Sequence, residues 1–291
     1  MDERIPKIIY QLQIQSENEQ SSALSRMVLL NSGYSQEDLV STFLKNKPAV
    51  ELFDEHPEKL ERIKKLFDRL ALTGVKVHQR RLAPRDWLTL WKKQWKPSSL
   101  TKKLDVVPVW FKDKYKLRRG RGFILMDTLL SFGTGLHETT RFMAQFIENH
   151  EGDFRSFLDI GTGTGILALV ALKYGAENVL GVDIGELSVQ AARDNMKANQ
   201  RYFQVERADI KNYRSKAVYD FVAANLVTED LIEHREKIIS FVKADGLLAV
   251  SGISLENLSK LRKAYSALPL KCLKISKGAQ WSGLLFQKTM S

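Results

Sequence analysis

Between residues 7 and 15 the chain alternates apolar Ile8, Tyr10, Leu12 and Ile14 with polar Gln11, Gln13 and Gln15, the two-residue period of a half-buried strand. Ser16 with Glu19 three places on has the form of a capping box and predicts a helix that carries Ala23, Leu24, Met27, Val28 and Leu30 and stops at Gly33. Short apolar runs at 39–44 and 49–53 read as strands. Leu60, Ile63, Leu66, Phe67 and Leu70 fall at helical spacing within 55–72, and 75–82 can close the set as a strand. The order βαββαβ predicts a small ferredoxin-like α+β domain over residues 1–82. It holds no catalytic constellation, so its expected role is recognition or docking.

Trp87, Trp91 and Trp95 recur at every fourth position and would share one face of a helix that Pro97 ends. Packing against a neighbour is the favoured role of that stripe, and stacking on bases the alternative. With the serine-containing basic stretch that follows, residues 83–105 read as a linker. From residue 106 the pattern turns to strands, at 106–111 and 122–126, and a glycine turn at 132–135 runs into a helix. Strands near Phe157, Val179, Phe203, Phe221, Leu247, Leu270 and Leu284 then alternate with helices from about Gly165, Leu187, Glu229 and Leu255. This predicts an α/β domain over 106–291 with a doubly wound, mostly parallel sheet ending in a hairpin.

Composition adds limits. A single cysteine, Cys272, cannot form an internal disulfide, the first residues lack a signal peptide's pattern, and no apolar run reaches bilayer length. The expectation is a cytoplasmic monomer with no membrane contact. The net charge of +11 is unevenly spread. Residues 76–121 hold fifteen Lys and Arg against three Asp and Glu, while the stretches on either side are close to neutral. That segment is either a weak footprint on RNA or a solvated basic linker.

The chemistry concentrates at Leu158-Asp159-Ile160-Gly161-Thr162-Gly163-Thr164-Gly165 and, further on, Val182-Asp183. A buried strand, a glycine turn, a helix and a second strand ending in an acid form the opening βαβ unit of a nucleotide-binding sheet. A dinucleotide fingerprint needs a glycine at position 166, where this chain has isoleucine. Asp159 would moreover repel a pyrophosphate and suit a ligand with ammonium and sulfonium charges. S-adenosylmethionine is such a ligand. Asp159, Gly161, Thr162, Gly163 and Gly165 are its candidate cradle, and Asp183 with Ile184 beside it the candidate ribose site. Asp209, past the third strand, can accept from the adenine amino group. Asn225, ending an apolar strand, should face the transferable methyl, where its amide oxygen can orient an amine. Leu226, Val227 and Thr228 follow it without prolines or a stacking ring, which favours an aliphatic amine over a flipped-out base.

Asp86-Trp87, Trp91, Lys96-Pro97, Phe132-Gly133-Thr134-Gly135 with His137 and Thr139-Thr140, the 159–167 turn, Val182-Asp183, Ala224-Asn225-Leu226, Ser251-Gly252-Ile253 and Trp281 together resemble the bacterial ribosomal protein L11 methyltransferases. The likeness runs over nearly the whole chain. It implies an N-terminal domain that recognises the ribosomal protein and a C-terminal domain that moves methyl groups from S-adenosylmethionine to its α-amine and lysine ε-amines. Two places depart from the family pattern: Thr128 to Ser131 stand where Pro-Gly is usual before the turn, and Gly185-Glu186 where Asp-Pro usually follows the ribose acid. Thr134 can contact the methionine part of the cofactor or the incoming amine, and Phe132 and Trp281 can wall the substrate side. His137 is available as a proton acceptor, or is a structural residue opening a helix. No metal site is expected. The alternatives are an RNA or DNA methyltransferase that uses the basic segment, a methyltransferase of another protein's lysines, and a cofactor-binding module without catalysis.

Overall fold

The computed structural model describes residues 9–34, 39–44, 47–54, 56–82, 95–127 and 137–289. The chain divides into two compact units, Met1–Gln94 and Trp95–Ser291.

The first unit runs β1 (Ile9–Ser16), α1 (Glu19–Asn31), β2 (Val40–Leu44), β3 (Lys47–Asp54), α2 (Pro57–Leu70) and β4 (Val75–Leu82). Its sheet has the order β2-β3-β1-β4 with every neighbour antiparallel. Leu12, Ile14, Val50 and Leu52 of the sheet close on Leu29 of α1 and on Leu60, Ile63 and Phe67 of α2. The start of α1 differs from expectation. Ser16 stays in β1, buried, with its hydroxyl facing that of Ser25. Asn18 is the cap: its Oδ1 accepts from the Ser21 amide at 2.9 Å, and the Ser21 hydroxyl answers the Asn18 amide. An amide side chain at the first non-helical position satisfies an orphan N–H as well as the expected serine would. Gln11 also departs from the alternation, being fully buried because Arg80 on the paired strand β4 covers it and donates to its side-chain oxygen.

The second unit opens with a small sheet, β5 (Ser98–Ser99), β6 (Leu104–Pro108) and β7 (Gly122–Met126), in the order β5-β6-β7. Residues 95–105, expected within a linker, therefore fold with this unit. Trp95 is buried edge-on against Trp110, ring centroids 5.3 Å apart. The other two tryptophans of the stripe, Trp87 and Trp91, lie outside the described residues, as do Phe132 and Thr134. The strand expected to run to 111 stops at Pro108, which caps a 3-10 helix, Val109–Lys114.

There follow α3 (Glu138–Asn149), β8 (Ser156–Ile160), α4 (Ile166–Lys173), β9 (Asn178–Asp183), α5 (Glu186–Asn199), β10 (Gln204–Arg207), β11 (Tyr219–Asn225), α6 (Thr228–Glu233), α7 (Arg235–Ser240), β12 (Val242–Ser254), α8 (Leu258–Tyr265), β13 (Leu270–Lys277) and β14 (Trp281–Lys288). The seven-stranded sheet has the order β10-β9-β8-β11-β12-β14-β13. Five strands, β10 to β12 in that order, are parallel, and β14 enters antiparallel between β12 and β13 as the expected terminal hairpin. Leu158, Ile160, Val182, Val222, Ala224, Leu248 and Val250 fill the middle of the sheet. Helix α4, Ile-Leu-Ala-Leu-Val-Ala-Leu-Lys, is apolar nearly all round because six of its eight residues are buried. No helix among the described residues is long and apolar enough to cross a membrane. The strand order reverses between β8 and β11, and in such a sheet ligands bind beyond the carboxyl ends of the strands at that reversal.

Candidate active site

Residues at the carboxyl ends of β8, β9 and β11 meet at the reversal. In register, Asp159 faces Gly181 and Ala223, Ile160 faces Val182 and Ala224, and Asn225 faces Ser251 of β12. Asp159, Asp183 and Asn225 thus lie on one end of adjacent strands although 66 positions separate the first from the last.

The glycine turn is built for close approach. Gly161, Gly163 and Gly165 have φ of +73°, +52° and +77°, a region that L side chains rarely adopt. A Cβ on Gly161 would stand 2.5 Å from a methyl of Leu226, and one on Gly165 2.9 Å from the Phe203 ring. Four of the turn's amides are committed to β9 or to the turn itself: those of Gly161 and Thr162 donate to the Val182 carbonyl, that of Gly163 to Asp183 Oδ2 at 2.8 Å, and that of Gly165 to the Thr162 carbonyl. Backbone N–H groups are what hold a pyrophosphate at such a turn, and these four are already used. The expectation against a dinucleotide thus gains a second reason that the sequence did not offer.

Asp159 is 1 % exposed. Its Oδ2 accepts from the Thr162 hydroxyl at 2.8 Å, and its Oδ1, buried, has no hydrogen-bond partner. Burial, aided by the charge of Asp183, pushes this carboxyl up to about 7, although the Thr162 hydroxyl and the nearby Ala168 amide act to lower it. A buried carboxylate oxygen without a donor costs free energy until a donor or a cation reaches it. Asp183 uses both oxygens locally, Oδ2 on the Gly163 amide and Oδ1 on the Gly185 amide at 2.8 Å, each keeping one lone pair for a hydroxyl. Ile184 beside it is 65 % exposed, an apolar surface at the edge of the crevice. Gly185, one of the two departures after Asp183, caps α5 through its backbone without a side-chain bond. Asp209 follows β10 on the same end of the sheet, where its Oδ1 accepts from the Lys211 amide at 2.8 Å and closes a turn. The donor set of carboxylates, an orphaned buried oxygen and a turn with no room for side chains fits an adenosyl ligand carrying positive charge.

On the other side of the reversal, Leu226 closes over the glycine turn. Its amide donates to the Ser251 carbonyl. Gly252, at φ +89°, lies so close that a Cβ there would be 2.0 Å from the Leu226 carbonyl oxygen. The Ser-Gly-Ile motif is therefore the floor on which the segment after Asn225 rests. Ser251 itself donates to the Ser282 carbonyl at 2.8 Å, linking this floor to β14.

His137 and Trp281 are brought together, ring centroids 5.2 Å apart and edge to face. His137 is the N-cap of α3: its Nδ1 accepts from the Thr139 amide and shares a hydrogen with the Thr139 hydroxyl. Burial holds its imidazole down to about 4, only partly opposed by Glu138. A neutral ring whose Nδ1 is engaged in its own helix end has the geometry of a structural cap, the alternative to the proton acceptor. The next residue fixes the same corner, since the Glu138 carboxylate accepts from the amides of Ala279 and Gln280 in the turn before β14. A Cβ at 278 would fall 2.3 Å from that carboxylate, so a side chain there would push Glu138 off these amides. Sequence reasoning missed this Glu138 tie, which joins residues some 140 positions apart with no local signal. Among the described residues no group of acids, histidines and cysteines has the arrangement of a metal site.

The reversing parallel sheet with its antiparallel hairpin, and the glycine turn between two acids, define a Rossmann-like methyltransferase. The chain belongs to the ribosomal protein L11 methyltransferase (PrmA) family, whose model matches residues 2–289. A ribosomal protein L11 methyltransferase of Caldanaerobacter subterraneus is 32 % identical over 217 residues, 74 % of this chain and 69 % of its own. One of Lactobacillus gasseri is 33 % identical over 244 residues, 80 % of this chain and 76 % of its own. The crystal structure of a ribosomal protein L11 methylase from Lactobacillus delbrueckii superposes with a TM-score of 0.63 at 28 % identity, over 67 % of this chain and the whole of the other.

Proposed function

We propose that this protein moves methyl groups from S-adenosylmethionine to ribosomal protein L11, at its α-amine and lysine ε-amines, in the cytoplasm. The single observation that carries the site assignment is the buried Asp159 oxygen without a partner, beside a ribose-type acid at a glycine turn. S-adenosylmethionine supplies a methyl group on a sulfonium, already activated for in-line displacement, so the chain's part is to bind, align and exclude water. Asp159 meets the cationic end of the cofactor, Asp183 and Ile184 the ribose and the adenine edge, and Asp209 the adenine amino group. Gly161, Thr162, Gly163 and Gly165 form the cradle. Asn225 accepts an N–H of the acceptor amine and aims its lone pair. A lysine ammonium cannot attack, and its pKa of about 10.4 must fall in the site. Desolvation in the crevice and a neighbouring positive charge both lower it. Thr134, Phe132 and Trp281 are assigned to the acceptor side, Thr134 also to the cofactor, and His137 to the helix cap. Residues 1–82 serve as the ferredoxin-like recognition domain for L11. The test is the intact mass of purified L11 before and after incubation with enzyme and S-adenosylmethionine. Steps of one methyl are expected; an unchanged L11 alongside labelled RNA would overturn the proposal.

The basic segment supports a second contact. Asp105 is fully buried, and although burial raises its carboxyl, hydrogen bonds from Arg121, Tyr115 and Arg118 outweigh that and hold it well below the usual carboxylate range. Arg118 and Arg121 are thereby committed to folding this corner. Lys112, Lys114, Lys116 and Arg119 are left exposed on it, and we assign them a weak, salt-dependent contact with RNA. Neutralising the four should flatten the salt dependence of RNA binding while leaving transfer to free L11 intact.

A further inference from the structure

Helix α5 carries two asparagines, Asn195 and Asn199, in its last two turns, where asparagine is a poor helix former. Neither is spent on solvent. Asn199 meets one residue of β7 from both sides: its Oδ1 accepts from the Leu125 amide at 2.8 Å, and its Nδ2 donates to the Leu125 carbonyl at 2.7 Å. Asn195 is fully buried, and its Oδ1 accepts from the amide of Asp127, two residues on, at 2.7 Å. Steps of two in a strand and four in a helix both advance roughly 6–7 Å, so the two amides continue the hydrogen-bond ladder on the edge of β7 that, among the described residues, faces no strand. Beyond this, Asn199 makes only a bond within its own helix, its Nδ2 donating to the Asn195 carbonyl at 2.8 Å. The Nδ2 of Asn195, however, donates at 2.9 Å to the carbonyl of Thr164, inside the glycine turn.

We propose that Asn195 is a positioning residue for the methyl donor: it fixes the glycine turn from behind by tying the Thr164 carbonyl to the edge of β7. The turn is pinned on its front by β9, through Val182 and Asp183, and with Asn195 it is held from two sides in its left-handed conformations. The inference rests on the reading that this turn holds S-adenosylmethionine. Asn195 touches only protein, and acts through Thr164.

The experiment compares Asn195→Asp, which keeps an acceptor for Asp127 and loses the donor to Thr164, with Asn199→Ala, which loses the strand edge and the bond to the Asn195 carbonyl but no bond to the glycine turn. Titration calorimetry with S-adenosylhomocysteine should show affinity weakened on the order of tenfold in Asn195→Asp and within about twofold of wild type in Asn199→Ala, the value of one hydrogen bond at a buried site. Thermal unfolding should show both variants destabilised, so that loss of stability and loss of affinity separate. Equal affinities in Asn195→Asp and wild type overturn the inference; a wild-type protein that binds no S-adenosylhomocysteine overturns instead the reading on which it rests. A measurement on the unaltered chain covers variants that fail to fold. Saturating S-adenosylhomocysteine should slow hydrogen exchange at the Asp127 amide, bonded to Asn195, more than at the Leu125 amide, bonded to Asn199, because linkage is reciprocal. Equal effects at the two amides overturn the inference as well.

Discussion

Replacing Asp159 by asparagine should make the ligand-free protein more stable above neutral pH and a poorer binder of its cofactor. The carboxyl sits in the folded chain at about 7 against an ordinary value of 3.8, held up first by burial. The folded state therefore holds this proton over a range where the unfolded state has released it. Stability contributed by the protonated form is complete below the unfolded value and is lost as pH rises through about 7. At roughly 1.4 kcal/mol per unit, the full loss is on the order of 4 kcal/mol. Asparagine keeps an oxygen for the Thr162 hydroxyl and carries no charge, at the cost of an amide N–H₂ to be satisfied in the same buried place. Urea unfolding of ligand-free wild type and variant at pH 5.5 and 8.5 isolates the effect, because other titrating groups cancel in the comparison. Wild type should lose about 2 kcal/mol more than the variant between the two pH values, because the loss runs only from 5.5 up to about 7. Cofactor affinity should change in the opposite sense: in wild type it should rise with pH as the carboxylate forms, and in Asp159→Asn it should be weak and flat. A wild-type stability profile that parallels the variant's would refute the buried-charge account of this site.

Asp183→Ala should weaken cofactor binding by roughly 1.5–3 kcal/mol and lower stability too, since the amides of Gly163 and Gly185 lose their acceptor; unchanged affinity would place the ribose elsewhere. Asn225→Ala should reduce turnover more than cofactor affinity in steady-state assays, and the reverse result would remove it from the reacting centre. Gly252→Ala should cost at least about 2–3 kcal/mol in thermal unfolding, from strain and forced displacement of Leu226 together; a melting point within a degree of wild type would contradict the close packing there. His137→Asn should retain most activity, because asparagine is also a good helix cap. With the wild-type imidazole held near 4, folding loses stability as pH falls from 6.5 towards 4, and the variant should unfold at lower pH than wild type. A large drop in turnover at neutral pH would instead make His137 a proton carrier.

Much of this molecule is written in local patterns. The glycine spacing at 161–165, the isoleucine at 166 and the acids at 159 and 183 specify a strand, a left-handed turn and a second strand ending in an acid, because φ, charge and strand period are properties of short stretches. The βα alternation after residue 150 specifies a doubly wound sheet for the same reason. What needed three dimensions was anything settled by a partner far along the chain. That the turn's amides are already spent on Val182 and Asp183, that one oxygen of Asp159 is left without a donor, that Glu138 holds the turn before Trp281, and that Asn195 reaches the back of the glycine turn are decided by which strands and helices lie side by side. Hydrogen bonds and desolvation act over a few ångströms of space, and only folding determines which distant residues fall within them.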